Sequence, residues 1–367
     1  MSDAAMPLAA RLAARIAREG PIGVDAWMEA CLADPVHGYY RGGVPVGAAG
    51  DFTTAPEVSQ IFGELLGAWA VAVWVALGRP SPVRLVELGP GRGTLMADAL
   101  RATARPAADF HRAIDLHLVE INPALRDLQR RAIGRPATWH DDAGDVPAGP
   151  CIVLANEFLD ALPVRQFLRC PEGWRERRVD LAGGRFAFAA GPMVADPPVE
   201  AAHLATAKPG DVVEIPEAAH GFVRGLAARL RREEGGAALF VDYGPQASGT
   251  GDTLQAVRHH RHADPLADPG AVDLTAHVDF AALARGARAA GLRAWGPVPQ
   301  GVFLTRLGLH ARAAALARAA SPAQRIAIEH GCARLAGEAG MGRLFKALAL
   351  AAPGFPDAPP GFEAADA

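Results

Sequence analysis

Leu85-Val86-Glu87-Leu88-Gly89-Pro90-Gly91-Arg92-Gly93-Thr94-Leu95 is the stretch whose reading decides the fold. Val83 to Leu88 is apolar apart from Arg84 and Glu87, which predicts a strand. Thr94 to Leu100 then carries apolar residues at helical spacing, so strand, tight turn and helix follow one another. The turn holds Gly89, Gly91 and Gly93, and a residue without Cβ takes positive φ and lets a ligand approach the backbone closely. The helix would begin at Gly93 or Thr94 and turn its unpaired N–H groups towards that ligand.

The spacing G-x-G-x-G departs from the dinucleotide fingerprint G-x-G-x-x-G. Glu87, just before the turn, would repel a pyrophosphate and attract amine or hydroxyl donors. S-adenosylmethionine has an ammonium, a sulfonium and ribose hydroxyls without a phosphate, and so suits these residues. The alternative is an ordinary glycine-rich turn between strand and helix.

With 367 residues, 50% of them hydrophobic, the chain can bury one large domain plus an appended or inserted region. A formal charge of -3, with acids and bases intermixed, gives no reason to expect nonspecific binding to nucleic acid or an anionic membrane. Cys31, Cys151, Cys170 and Cys332 are scattered without zinc-ligand spacing, so reduced thiols and no metal are expected. His259, His260 and His262 invite a metal reading, but they lack a cysteine or carboxylate partner at suitable spacing. The longest apolar run, Ala68 to Leu77, is too short to span a bilayer. Arg11, Arg15 and Arg18 superficially resemble a transit peptide; Asp3 and Glu19 flank them and favour a first structural helix. High Ala, Gly, Pro and Arg content is compatible with a bacterial protein encoded by GC-rich DNA, for which a cytoplasmic location is expected.

Leu8 to Ala17 and Val24 to Leu32 read as helices, and Ala55-Pro56-Glu57 as a helix start, which together suggest a helical cap over residues 1–80. From Val83 the pattern alternates strand and helix, the signature of a doubly wound α/β sheet, through about residue 350. The second strand, Ile114 to Val119, ends at Glu120, placed to hold ribose hydroxyls or, alternatively, to cap the next helix with Asn122. After the third strand, Ala137 to His140, Asp141 or Asp142 could accept from an adenine amino group or serve only as loop residues. The fourth strand, Cys151 to Ala155, opens into Asn156, Glu157 and Asp160, and ligands in such sheets bind at the carboxyl ends of strands. Two carboxylates there could grip a guanidinium or draw a proton from an amine; capping of the next helix by Asn156 and Asp160 is the alternative.

Inserted regions are expected at about residues 165–235 and 245–280, with short antiparallel strands at 166–170, 174–181 and 185–189 that could form a protein-binding wall. Ala237 to Val241 is the fifth core strand, Thr275 a helix N-cap, and Val302 to Thr305 a further strand. Met341 to Lys346 closes the folded part, and the Pro-, Ala- and Asp-rich tail 351–367 is expected to be disordered.

Several stretches in this order resemble the MidA-like class I methyltransferases, a family that includes a mitochondrial arginine methyltransferase of respiratory complex I assembly. They are Gly38-Tyr39-Tyr40, Asp51 to Glu64, Glu87 to Gly93, Asn156 to Pro163, Val241 to Gly244, Asp273 to Phe280 and Met341 to Lys346. The resemblance implies a Rossmann-like seven-stranded sheet with a helical N-terminal cap and an inserted substrate-binding region. It implies S-adenosyl-L-methionine as methyl donor and a protein arginine as acceptor, in a quinone-site subunit of complex I. By that likeness Glu87, Gly89, Gly91 and Gly93 cradle the amino acid part of the cofactor and Glu120 its ribose. Asp141 or Asp142 faces the adenine, and Thr54, Glu57 and Ser59 close the pocket. A homodimer is left open, and an assembly factor that binds the cofactor with little chemistry is the alternative function. An NAD-dependent dehydrogenase is disfavoured by the glycine spacing and by Glu87.

Overall fold

Strand β1 (Val83–Leu88) is central to a seven-stranded sheet with β2 (Ile114–Val119), β3 (Thr138–His140), β4 (Cys151–Asn156), β5 (Gly236–Tyr243), β6 (Arg293–Pro299) and β7 (Phe345–Ala351). The order is β6-β7-β5-β4-β1-β2-β3 in this computed structural model, which describes residues 6–42, 47, 50–51, 53–198, 201–231 and 235–367. β1 pairs parallel with both β2 and β4, and only β7 runs antiparallel to its neighbours, β5 and β6. The chain steps outward from β1 to β3, then crosses back to β4 on the other side of β1. A change of direction at that point opens a crevice at the carboxyl ends of β1 and β4, where ligands of open α/β sheets bind.

This sheet belongs to a unit made of Thr53–Phe158, Phe222–Gln246 and Asp279–Ala367. Every residue of β4 and β7 is buried, which explains their near-continuous apolar runs. Helix α1 (Ala55–Val58) and helix α2 (Gln60–Ala76) precede β1, with the Ser59 hydroxyl capping α2 by accepting from the Ile61 N–H at 3.3 Å. Helix α3 (Thr94–Thr103) lies close against α2, because a Cβ at Gly67 would come within 2.7 Å of the Ala99 Cα. Helix α4 (Pro123–Ile133) is defined at both ends: Asn122 accepts from the Ala124 and Leu125 N–H groups, and Gly134 ends it at φ 63°.

The other unit comprises Met1–Phe52, Leu159–Gly221 and Ala247–Val278. Its antiparallel sheet contains Ile22–Gly23, Gly173–Ala182, Arg165–Cys170 and Val212–Ile215, with Arg185–Val194 paired to Gly173–Ala182. A smaller sheet holds Gln255–Arg258, Arg261–Ala263 and Asp273–Thr275. Trp27, Met28, Val179 and Leu274 are buried in its core. No helix of the described residues is long and apolar enough to cross a membrane.

Four sequence expectations change. Residues 1–80 divide between the units: the helices Leu8–Glu19 and Val24–Ala33 group with the inserted segments, while α1 and α2 group with the sheet. Val302 to Thr305 is helical, within Gln300–Arg306, and the seventh strand is Phe345–Ala351. Its alternating Leu and Ala favour a helix intrinsically, but the position between β5 and β6 pairs both edges and buries both faces. Thr275 ends a strand, and Asp279 caps the following helix by accepting from the Ala282 N–H at 2.8 Å. The tail is packed: the Phe355 ring lies 6.1 Å from Trp295 and the Phe362 ring 5.2 Å from Phe303, and all four are buried. Two buried aromatics outweigh the polar composition around them.

Candidate cofactor and active site

Gly89, Gly91 and Gly93 take φ values of 57°, 53° and 83°, so the turn after β1 uses the left-handed region at all three positions. Gly93 is also the N-cap of α3 and supplies no side chain to cover the first N–H groups of that helix. A Cβ on Gly93 would meet the Gln129 Cα at 3.1 Å, so α4 backs directly onto the turn.

Two carboxyl groups lie at this end of the sheet. Glu87 on β1 is 2% exposed, and its Oε2 is buried with no hydrogen-bond donor among the described residues. Burial, with Glu120 alongside, pushes its carboxyl up to about 8. Glu120, just beyond β2, is pushed up to about 7 by burial, against the stabilising pull of the Asn122 N–H and the Gln129 amide. Those groups donate to Glu120 Oε1 at 2.8 Å and Oε2 at 3.1 Å. Both readings of Glu120 are therefore compatible with its position, since it braces the approach to α4 as well as facing Glu87. A buried acid without a cation or a full set of donors is costly to the protein alone. A ligand bringing an ammonium and hydroxyls fits this pair, and nothing in it would welcome a phosphate.

Across the crevice, Asn156 ends β4 and Glu157 follows it. Asn156 is 8% exposed; its Nδ2 donates to Glu157 Oε1 at 3.1 Å, and its Oδ1 is buried without a hydrogen-bond partner among the described residues. Glu157 takes φ 51°, a conformation that costs a residue with a side chain about 1–2 kcal/mol. The surroundings enforce it: the Glu157 N–H donates to the Val241 carbonyl at 2.9 Å, and the Phe158 N–H to Asp242 Oδ2 at 3.1 Å. Glu157 Oε1 also accepts from the Ala55 N–H at 3.2 Å, which ties it to the start of α1.

Glu57 on α1 accepts from the Thr94 hydroxyl, and its Oε2 lies 3.9 Å from Arg92 Nε, so it clamps the end of the glycine turn. Thr54 occupies the N-cap position of α1 without a side-chain capping bond, whereas the Ser59 hydroxyl is committed to α2. Asp141 is largely exposed and bonds Arg126 at 2.6 Å, and Asp142 accepts from the Gly144 N–H at 2.6 Å. Asp160 belongs to the other unit. There it is buried, its backbone carbonyl accepts from the Ala276 N–H at 3.0 Å, and its charge helps to push the buried Asp273 carboxyl up to about 7, second to burial itself.

Sequence reasoning missed Asp242 and Gln129. Asp242 is 1% exposed and accepts from both the Phe158 and Tyr243 N–H groups, which sets the path of the Glu157 loop. A signal for it existed in an acid ending a buried strand. Gln129, on α4, is fully buried beside Glu120 and Gly91, and no local pattern in the sequence singles it out.

Comparison with known proteins gives a consistent result. Residues 65–298 match a family described as "Putative S-adenosyl-L-methionine-dependent methyltransferase". The chain is 36% identical over 372 residues to the mitochondrial protein arginine methyltransferase NDUFAF7 of Homo sapiens, covering 94% of this chain and 83% of that protein. The same-named protein of Xenopus laevis is 38% identical over 339 residues, 81% of this chain and 73% of that one. A solved structure of a protein assigned as a methyl transferase from Burkholderia thailandensis, bound to S-adenosyl-homocysteine, superposes with a TM-score of 0.82 at 33% identity. It covers 96% of this chain and 93% of the other.

Proposed function

We propose, from the premise that this chain belongs to the MidA-like family of S-adenosylmethionine-dependent methyltransferases, that its methyl acceptor is an arginine side chain of a partner protein. The observation carrying this reading is Glu157, held by its neighbours in a strained backbone conformation at the mouth of the crevice between β1 and β4. Strain of that kind persists where a side chain must be aimed.

Bound S-adenosylmethionine supplies an electrophilic methyl group. Glu87 would take its ammonium, Glu120 its ribose hydroxyls, and the glycine turn its amino acid backbone, with Asp141 or Asp142 nearest the adenine. Glu57 would act through the turn by its bond to Thr94, beside Thr54 and Ser59 at the start of α1 and α2. An arginine is protonated at neutral pH, so the chain must hold the cation and localise electrons on one nitrogen rather than deprotonate it beforehand. Glu157 is suited to that work as a carboxylate that grips the guanidinium by charge-assisted bonds and receives the proton which the alkylated nitrogen gives up. Asn156 Oδ1, buried and lacking a partner, would accept from a second guanidinium N–H, whereas Asp160, the further acid expected from the sequence, belongs to the other unit and takes no part in this grip.

The names of the relatives support arginine as acceptor; a quinone-site subunit of NADH:quinone oxidoreductase as the protein that carries it rests on the family resemblance read from the sequence alone. Mass spectrometry of that subunit from cells lacking this chain tests the reading. Loss of an arginine methyl mark, restored by the parent chain and not by Glu157→Gln, is expected; an unchanged mark would contradict it.

A further inference from the structure

Gln129 is a fully buried polar side chain whose amide is used at both ends. Its Oε1 accepts from the Trp139 indole Nε1–H at 2.7 Å. Its Nε2 donates to the Gly91 carbonyl at 2.7 Å and to Glu120 Oε2 at 3.1 Å. An indole N–H only donates, so it fixes which way the amide points: oxygen towards β3, nitrogen towards the glycine turn and Glu120. The Arg130 guanidinium stacks on the Trp139 ring at 4.6 Å and steadies the indole.

We propose that Trp139 and Gln129 form a positioning relay that presets the Glu120 carboxylate and the Gly91 carbonyl for S-adenosylmethionine, and so determines cofactor affinity from outside the contact surface. The proposal rests on Glu120 as the ribose partner. Without the indole N–H, the amide loses the bond that anchors its far end and can swing away from Gly91 O and Glu120 Oε2, leaving both acceptors without their donor. Part of the population then holds Glu120 in the wrong orientation, and binding must first correct it.

Trp139→Phe keeps the aromatic stack on Arg130 and removes only the donor. Calorimetric titration with S-adenosylmethionine and S-adenosylhomocysteine should show both dissociation constants rising about three- to tenfold, with kcat at saturating cofactor held within about twofold. Gln129→Met, which retains volume and removes all three bonds, should weaken binding at least as much; far-ultraviolet circular dichroism shows that each variant is folded. Glu120→Gln distinguishes the underlying reading. Unchanged affinity in Glu120→Gln would sink the ribose assignment and the relay with it. Weaker binding in Glu120→Gln beside unchanged binding in both Trp139→Phe and Gln129→Met would sink the relay alone. A double variant, Trp139→Phe with Glu120→Gln, should weaken binding by less than the product of the two single effects, since one interaction is lost in both. Full multiplicativity would overturn the proposal.

Discussion

Glu157→Gln is expected to bind S-adenosylmethionine within about twofold of the parent and to transfer methyl groups about a hundredfold or more slowly. The amide is isosteric, so it keeps an oxygen for the Ala55 N–H and for Asn156 Nδ2, and the backbone at φ 51° is unchanged. What it loses is charge. A neutral amide neither holds a guanidinium by paired ionic hydrogen bonds nor accepts its proton. Calorimetry with cofactor and single-turnover transfer of labelled methyl to the acceptor separate the two effects. Parental transfer rates would remove Glu157 from the chemistry and leave its strained backbone as a feature of the β4 loop alone.

The second large effect falls on the cofactor. Glu87→Gln is expected to weaken S-adenosylmethionine binding by about ten- to a hundredfold, the scale of a hydrogen bond to a charged group. The same change should make the cofactor-free protein more stable relative to the parent as pH rises. In the folded chain the Glu87 carboxyl ionises at about 8, against an ordinary value of 4.5, because it is buried with Glu120 beside it. Between those values the native state holds a proton that the unfolded chain has released. The stability this provides is full below about 4.5 and drains away as pH climbs through about 8. A glutamine does not titrate, so the melting temperature of Glu87→Gln relative to the parent should climb between pH 5 and pH 9, roughly the interval that linkage defines. A difference that shrinks over that interval would show that Glu87 is ionised and satisfied in the cofactor-free protein. The carboxyl that binds cofactor is thus one the protein holds at a cost until the cation arrives.

Much of this arrangement was legible because it is local. The strand, the three-glycine turn and the helix at Val83 to Thr103 declare themselves by period and by residues that need positive φ, and the chain forms them as expected. Residues closing the parallel strands, Glu87, Glu120 and Asn156, follow from the rule that open sheets bind at their carboxyl ends. Long-range decisions were not legible. Phe345 to Ala351 becomes a strand only because two strands far away in sequence leave a slot for it. Phe355 and Phe362 hold the tail by packing on Trp295 and Phe303, contacts that composition does not encode. The role of Gln129 depends on Trp139 and Gly91, each brought beside it by the sheet and its turn. Resemblance supplied the family, and geometry supplied the reasons that particular carboxylates sit where they do.

Titration of the purified chain with S-adenosylmethionine, beside Gly91→Val, tests the central claim most directly. Gly91 stands at φ 53°, where a β-branched residue is strained and would shift the backbone of the turn, so the variant should stay folded and lose the cofactor. The account expects micromolar binding by the parent, around -8 kcal/mol, and none by the variant at matched circular dichroism. Equal affinity in the two proteins would contradict it, since the glycine turn would then have no part in holding the methyl donor.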